Sequence, residues 1–178
     1  MTSILKVSEI QDPTNGNTAL TIDTSGRILQ PAKPMFKVYR SANFNYTSAQ
    51  NGQKMTGWDD VSLAGAINVG GFWDTVNDRA TAPVAGMYMF EIKGFFHTGT
   101  YGQLGIGMYV NGGATKGADF RVNRSNSGFG YDSINFNAHL YLEANDYVEF
   151  YFIQQSLTAE FHASSGYYYS GVCGHLVA

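Results

Sequence analysis

The chain has 178 residues, a formal net charge of -3, 14% charged residues and one cysteine. This length permits one compact domain plus a short arm, and a single cysteine excludes an intramolecular disulfide and a cysteine-based zinc site. The negative net charge argues against nucleic acid as a partner, and the absence of an apolar run of transmembrane length argues against membrane insertion. The 21 Gly, 12 Tyr and 12 Phe residues favour an all-β fold.

The first predicted elements are short strands in an N-terminal arm. Alternation in "SILKVSEIQ" indicates one strand, and "TALTIDTSGRILQ" places Leu20 and Ile22 two residues apart before a Ser25-Gly26 turn. An arm with so few apolar residues cannot close its own core, and the prolines of "QPAKP" favour an extended linker. We therefore assign residues 1–34 to an N-terminal attachment or oligomerisation arm that orders by docking on another chain, and residues 35–178 to a head domain.

Turn signals recur along the head from Phe36 onward, with segments of β character between them. Alternation is clearest in four of these segments, and each is expected to supply one buried face. In the first, Met87, Met89 and Glu91 alternate with Tyr88, Phe90 and Ile92, and the other three begin at Leu104, Phe136 and Val148. "GMYVNGG" predicts a strand that ends in an Asn-Gly hairpin. Strands at such spacing, without a helical pattern between them, predict an antiparallel jelly-roll sandwich.

Residues that could bind a metal or catalyse a reaction are scattered. The histidines are His97, His139, His162 and His175, and none pairs with another at metal-site spacing. His139 alternates in phase with the polar positions of its strand, which indicates a surface or interface imidazole. Cys173 falls in an apolar terminal strand, where we expect a buried, inert thiol.

The acidic residues also match no known template. Asp59 and Asp60 are adjacent, Asp74 and Asp78 follow in a loop, and their spacing differs from that of a calcium-binding loop. Calcium stays a minor alternative to a solvated turn. The sequence therefore predicts a protein that is not an enzyme, with no catalytic residue, no cofactor and no metal site.

Aromatic residues in loop-like stretches are the candidate contact site. They are Phe129 and Tyr131 in "NSGFGYD" and Tyr167, Tyr168 and Tyr169 in "GYYYSG". Such rings combine apolar area with a polar tip, so they can fill a partner's pocket or stack on a sugar. Contact with a partner subunit is the favoured interpretation, and core packing or a receptor or glycan site are the alternatives.

Four motifs occur in order in the head: "RATAPVAGMYMFEIKGFF", "GMYVNGG", "NFNAHLYLEANDYVEFYF" and "YYYSGVCGHLVA". Together they resemble the globular head of complement component 1q and tumour necrosis factor-like proteins. The resemblance covers residues 36–178 and implies a ten-stranded jelly roll that forms homotrimers, with alternate residues of Met87–Phe90 contacting a neighbouring subunit. Asn145 stands where this family has glycine, and asparagine also tolerates positive φ. The terminal motif fits two registers, at Val172–Leu176 or at Tyr169–Gly171.

The arm resembles the N-termini of bacteriophage fibre and appendage proteins, especially of marine phages, through "ILKVSEIQ" and "ALTIDTSGR". This implies a virion protein that is made in the host cytoplasm, as the lack of a signal-peptide pattern at the N-terminus also suggests. We expect the arm to bind other tail or capsid proteins and the head loops to bind a host receptor or surface glycan. One alternative is a capsid or tail decoration or connecting protein without a host ligand, and a second is a polysaccharide hydrolase.

Overall fold

The computed structural model of the chain describes residues 6–14, 16–40, 42–46, 52–58, 65–98, 102–124, 130–154, 159–163 and 170–178. These residues form strands, turns and loops, and none of them belongs to a helix that is long and apolar enough to cross a bilayer. The chain divides into two compact units, Met1–Lys33 and Pro34–Ala178.

The first unit, the arm, contains a three-stranded antiparallel sheet. Its strands are β1 (Glu9–Gln11), β2 (Thr18–Ile22) and β3 (Ile28–Leu29). The predicted turn is present, with Gly26 at a φ of 79° and the Asp23 carboxylate accepting the backbone N–H groups of Ser25 and Arg27. Of the predicted strand "SILKVSEIQ", Glu9–Gln11 form β1, residues 6–8 precede it, and residues 3–5 lie outside the described residues.

The second unit, the head, contains the remaining strands. They are β4 (Met35–Tyr39), β5 (Phe44–Tyr46), β6 (Gln53–Lys54), β7 (Ile67–Val69), β8 (Trp73–Asp74), β9 (Arg79–Thr81), β10 (Gly86–Thr98), β11 (Gly102–Val110), β12 (Gly113–Arg124), β13 (Gly130–Leu142), β14 (Tyr147–Gln154), β15 (Ala159–His162) and β16 (Gly171–Leu176).

Two antiparallel sheets build the head. The large sheet has seven strands: β13 pairs with one edge of β10, and the other edge pairs first with β16 and then with β15. Beyond these, β4 and β7 continue from β16, and β5 continues from β15. The small sheet has the order β12-β11-β14-β9-β8, with β6 also paired to β14. The head is an antiparallel jelly-roll sandwich, which confirms the fold predicted from the sequence.

The core lies between the two sheets and is rich in aromatic rings. Each of the four predicted alternations supplies one face to this core. The buried residues are Tyr88, Phe90, Ile92, Leu104, Ile106, Met108, Val110, Leu142, Val148, Phe150 and Phe152, and the partly buried Phe136, Ala138 and Leu140 pack against them. The rings of Phe90 and Phe150, one from each sheet, have centroids 6.3 Å apart. Trp58 is fully buried, with its ring 5.8 Å from that of Phe161.

The turns at one end of the sandwich follow the sequence signals. Asn111 and Gly112 have φ values of 51° and 72°, as a two-residue hairpin of type I′ requires. Asn145 has a φ of 72°, so asparagine does support the turn where the resembling family has glycine. Gly86 is needed for space, because a Cβ there would lie 2.7 Å from the carbonyl oxygen of Ala178.

The last strand, β16, pairs with β10 on one side and with β4 on the other. Val172 is buried, Leu176 packs against the core, and a Cβ on Gly174 would lie 2.7 Å from the ring of Phe36. Cys173 is half-buried rather than fully buried as expected, because alternation turns its side chain to the face opposite Val172.

Candidate functional site

The large sheet presents its second face away from the core, and this outer face is the candidate site. Its residues alternate with the core residues Tyr88, Phe90 and Ile92. By strand pairing, the outer face comprises Met35, Lys37, Ile67, Val69, Met87, Met89, Glu91, Lys93, Asn137, His139, Tyr141, Cys173 and His175.

One row of this face runs across five strands, from β7 to β13. Its members are Val69, Met35, His175, Met89 and His139, each opposite the next in the register. Met89 therefore lies between two histidines that come from different strands. The row is apolar apart from its two imidazoles, and it adjoins the cross-strand pair of Met87 and Tyr141.

A parallel row is more polar. Its members are Ile67, Lys37, Cys173, Glu91 and Asn137, again in register order. A hydrogen bond with the Tyr39 hydroxyl raises the pKa of Lys37, whose Nζ lies 5.3 Å from the centre of that ring. Burial raises the pKa of the Cys173 thiol, and the nearby Glu91 carboxylate adds to this effect, so the neutral thiol is favoured over the reactive thiolate. The outer face thus grades from apolar at the Met87 end to polar beyond Glu91.

A second candidate region lies where several strands end together. Thr98, the last residue of β10, pairs with Gly130 and with Ala159, while Gly102, the first residue of β11, pairs with Arg124. Only three residues join Thr98 to Gly102, so the ends of both sheets are close in space. Several strand ends therefore share one end of the sandwich, which we call the loop end. They flank segments 99–101, 125–129 and 155–158.

The aromatic candidates relate to this end in different ways. Tyr131 lies on β13, where its backbone pairs with His97, one residue from the Gly130–Thr98 pair. Phe129, Tyr167, Tyr168 and Tyr169 lie outside the described residues. The structure therefore places the backbone of Tyr131 near the loop end, and the roles of all five aromatic residues stay predictions.

Sequence reasoning missed two contributors to the outer face. Tyr141 is 61% exposed and lies opposite Met87, and His175 lies opposite Met89. A signal was available for Tyr141, because it alternates in phase with His139. His175 gave no local signal, since the partner of a terminal strand is set by long-range pairing.

Other chemical groups of the head are engaged in local contacts. His162 Nδ1 lies 3.0 Å from Glu160 Oε1, and the same carboxylate oxygen accepts a 2.8 Å hydrogen bond from the Asn43 side chain. Over the ranges that the structure describes, no three His, Cys, Asp or Glu side chains gather as a metal site would require. Asp59 and Asp60 lie outside those ranges.

Comparisons with known proteins bear on the fold. No family model matches the chain, and no curated protein matches it. Among solved structures, the globular domain of zebrafish complement 1qA protein is similar, with a TM-score of 0.53 and 16% identity over 82% of this chain and 98% of that chain. The head has a complement component 1q-like fold. At this level of identity the likeness concerns the fold, and it agrees with the order of the four motifs in the sequence.

Proposed function

We propose that the protein is a non-enzymatic, homotrimeric virion fibre or appendage protein whose jelly-roll head binds a host receptor or surface glycan. In this proposal the outer face is the contact between subunits, and segments at the loop end bind the ligand. The arm attaches the protein to other tail or capsid proteins.

The apolar part of the outer face carries the trimer proposal. Tyr141 is 61% exposed and Met87 is 37% exposed, and they adjoin a row in which Met35, Met89 and Val69 are only partly covered. Aromatic residues and methionine are enriched in the buried centres of interfaces, whereas charged residues are depleted there. Association through this face would bury the apolar part and leave Glu91 and Lys93 nearer the rim.

The geometry of the strand ends supports ligand binding at the loop end. Loops held on a rigid sandwich are frequent carriers of specificity, because they can vary without disturbing the core. A trimer would present three copies of such a site on one body, and three weak contacts then act together on a repetitive surface. The virion assignment rests on the likeness of the arm to phage fibre N-termini.

The trimer is tested by placing a charge on the outer face. Met87→Asp and Tyr141→Asp would each bury an unpaired carboxylate at the interface, so we expect monomers by light scattering at micromolar concentration. Val76→Asp is the matched control, because Val76 is 87% exposed in a loop of the head and lies off this face. Trimers in both outer-face variants would contradict the proposed interface.

Ligand binding is tested with the labelled wild-type protein on bacterial cells and on an array of bacterial surface glycans. Adhesion is supported if the wild-type protein shows saturable binding and a Phe129→Ala/Tyr131→Ala variant, with the same oligomeric state, does not bind. Failure to bind any cell or glycan, together with stable binding to isolated capsids or tails, would favour a decoration or connecting protein. Release of new reducing ends from polysaccharide would contradict the non-enzymatic assignment.

A further inference from the structure

The arm carries an apolar face of its own. Ile10 pairs with Leu20 across β1 and β2, Ile22 pairs with Ile28 across β2 and β3, and alternation puts Leu20 and Ile22 on the same side. These four side chains line a depression together with Glu9. Ile28 is 66% exposed, and Ile10 and Ile22 are also exposed.

Among arm residues 6–14 and 16–33, which the structure describes, none forms a second layer over the arm sheet. None of the arm residues that the structure describes is buried. Packing against another layer stabilises a small sheet that has one apolar face, because the buried area offsets the entropy lost on ordering. The face of Ile10, Leu20, Ile22 and Ile28 therefore needs an occupant.

The charges of the arm argue against an occupant selected by charge. Three basic side chains, Lys6, Arg27 and Lys33, balance three acidic ones, Glu9, Asp12 and Asp23, so the side chains of residues 1–33 sum to zero.

Two of the acidic groups are engaged within the arm. Arg27 Nε lies 2.6 Å from Asp23 Oδ2, and Glu9 accepts hydrogen bonds from Gln11 and Thr18. These bonds hold the pKa of Glu9 and of Asp23 below their ordinary values, so both carboxylates stay charged and locally paired near neutral pH. A neutral sheet with one aliphatic face meets no like-charge repulsion from copies of itself.

We propose that the occupant is the same face of the arms of the other two chains, so that three arm sheets pack into one shared apolar core. This inference rests on the proposed trimer, because each arm is tethered to its head at Pro34. Tethering raises the concentration of the arms for one another to the millimolar range, on the order expected for short linkers. The arm is then a trimerisation element in its own right, and the opposite side of its sheet stays available for attachment to a virion.

Cysteine cross-linking of the full-length protein tests this packing. In a Cys173→Ala background, Ile28→Cys places a thiol on the apolar face, and Leu29→Cys places one on the opposite face of the same strand. Leu29 is the matched control, since it is apolar and 48% exposed. With a short bis-maleimide, we expect at least tenfold more cross-linking between chains for Ile28→Cys than for Leu29→Cys.

A second variant covers the case in which the cysteine perturbs the arm. In Ile22→Asp/Ile28→Asp we expect amide protons of β1, β2 and β3 to exchange at least tenfold faster than in wild type, while those of β10 and β16 are unchanged. Both results together support the proposal.

Each contrary outcome points to a different failure. A trimeric mass with equal or no cross-linking at the two positions overturns the packing of the arms but leaves the head trimer standing. Protected arm amides without cross-links between chains also overturn it, because the face is then covered within one chain. A monomeric mass for the wild-type protein overturns the head trimer and the arm inference with it.

Discussion

The side-chain amide of Asn111 donates a 2.6 Å hydrogen bond to Oδ1 of Asp146 and so joins two hairpin turns at one end of the head. A second bond joins the same turns, because the backbone N–H of Tyr147 donates to Asn111 Oδ1. Within its own turn, Asp146 Oδ2 accepts the backbone N–H of Glu143. A third segment joins them where Ala82 exchanges backbone hydrogen bonds with the second turn. Side chains thus hold together turns that belong to the strands on both sides of the core.

Removal of the Asp146 carboxylate is expected to destabilise the head. Asp146→Ala leaves the Asn111 amide and the Glu143 N–H without this acceptor, so we expect a loss of about 1–3 kcal/mol in the free energy of unfolding in urea. Glu143→Ala is the matched control: it removes an acid from the same turn but keeps the backbone donor, and should cost less than about 0.5 kcal/mol. Equal losses in the two variants would contradict this role.

The positive φ of Asn145 predicts opposite effects for two small substitutions. Asn145→Gly should raise the free energy of unfolding by up to about 1 kcal/mol, because glycine adopts a φ of 72° without steric cost. Asn145→Ala should lower it by about 1 kcal/mol, because alanine is strained there. Thermal unfolding of the three proteins measures the order, and alanine at least as stable as glycine would show that this backbone is not strained.

Close packing around Gly94 predicts that even a methyl group is harmful. A Cβ there would lie 2.3 Å from Phe161 Cζ and 2.7 Å from Ser170 Oγ, so Gly94→Ala should cost about 1–3 kcal/mol through overpacking. Gly113→Ala is the control, because its nearest neighbour would be the Val110 carbonyl oxygen at 3.5 Å. Chemical denaturation of both variants provides the test, and a fully stable Gly94→Ala protein would show that Phe161 can move aside.

Asp74 predicts a specific dependence of stability on pH. Hydrogen bonds from the Asn77 side chain and from the backbone of Asn77 and Val76, together with the charge of Arg79, hold the pKa of this carboxyl below its ordinary value of 3.8. Because the folded-state pKa is the lower one, the stabilisation is present above pH 3.8 and is lost as the pH falls through the folded value.

Asp74→Asn keeps the shape of the side chain but removes the charge. We expect it to be less stable than wild type at pH 7, by about 1 kcal/mol, and the difference should shrink as the pH falls below 3.8. Urea unfolding at several pH values measures this. A difference that stays constant from pH 7 to pH 3 would show that the carboxylate charge contributes nothing.

Local patterns in the sequence were sufficient for the fold class and for several of the strands and turns. The alternation from Met87 to Ile92 separated two sets of residues that the structure places on the outer side and the core side, because the side chains of any extended strand point to opposite faces in turn. The turns at Asn111 and Asn145 were also predictable, since few residue types tolerate positive φ. The order of four motifs indicated the jelly roll that the structure has.

Only the tertiary structure decided which residues share a surface. Asp78 accepts the backbone N–H groups of Gly57 and Trp58, and Met89 lies between His139 and His175, although neither set is close in sequence. Alternation predicts which residues of a strand share a face, but it does not predict which strand lies beside that strand. The neighbouring strand is set by the pairing of all the strands around a common core. For that reason the sequence was sufficient to predict the fold class, whereas the composition of the outer face required the structure.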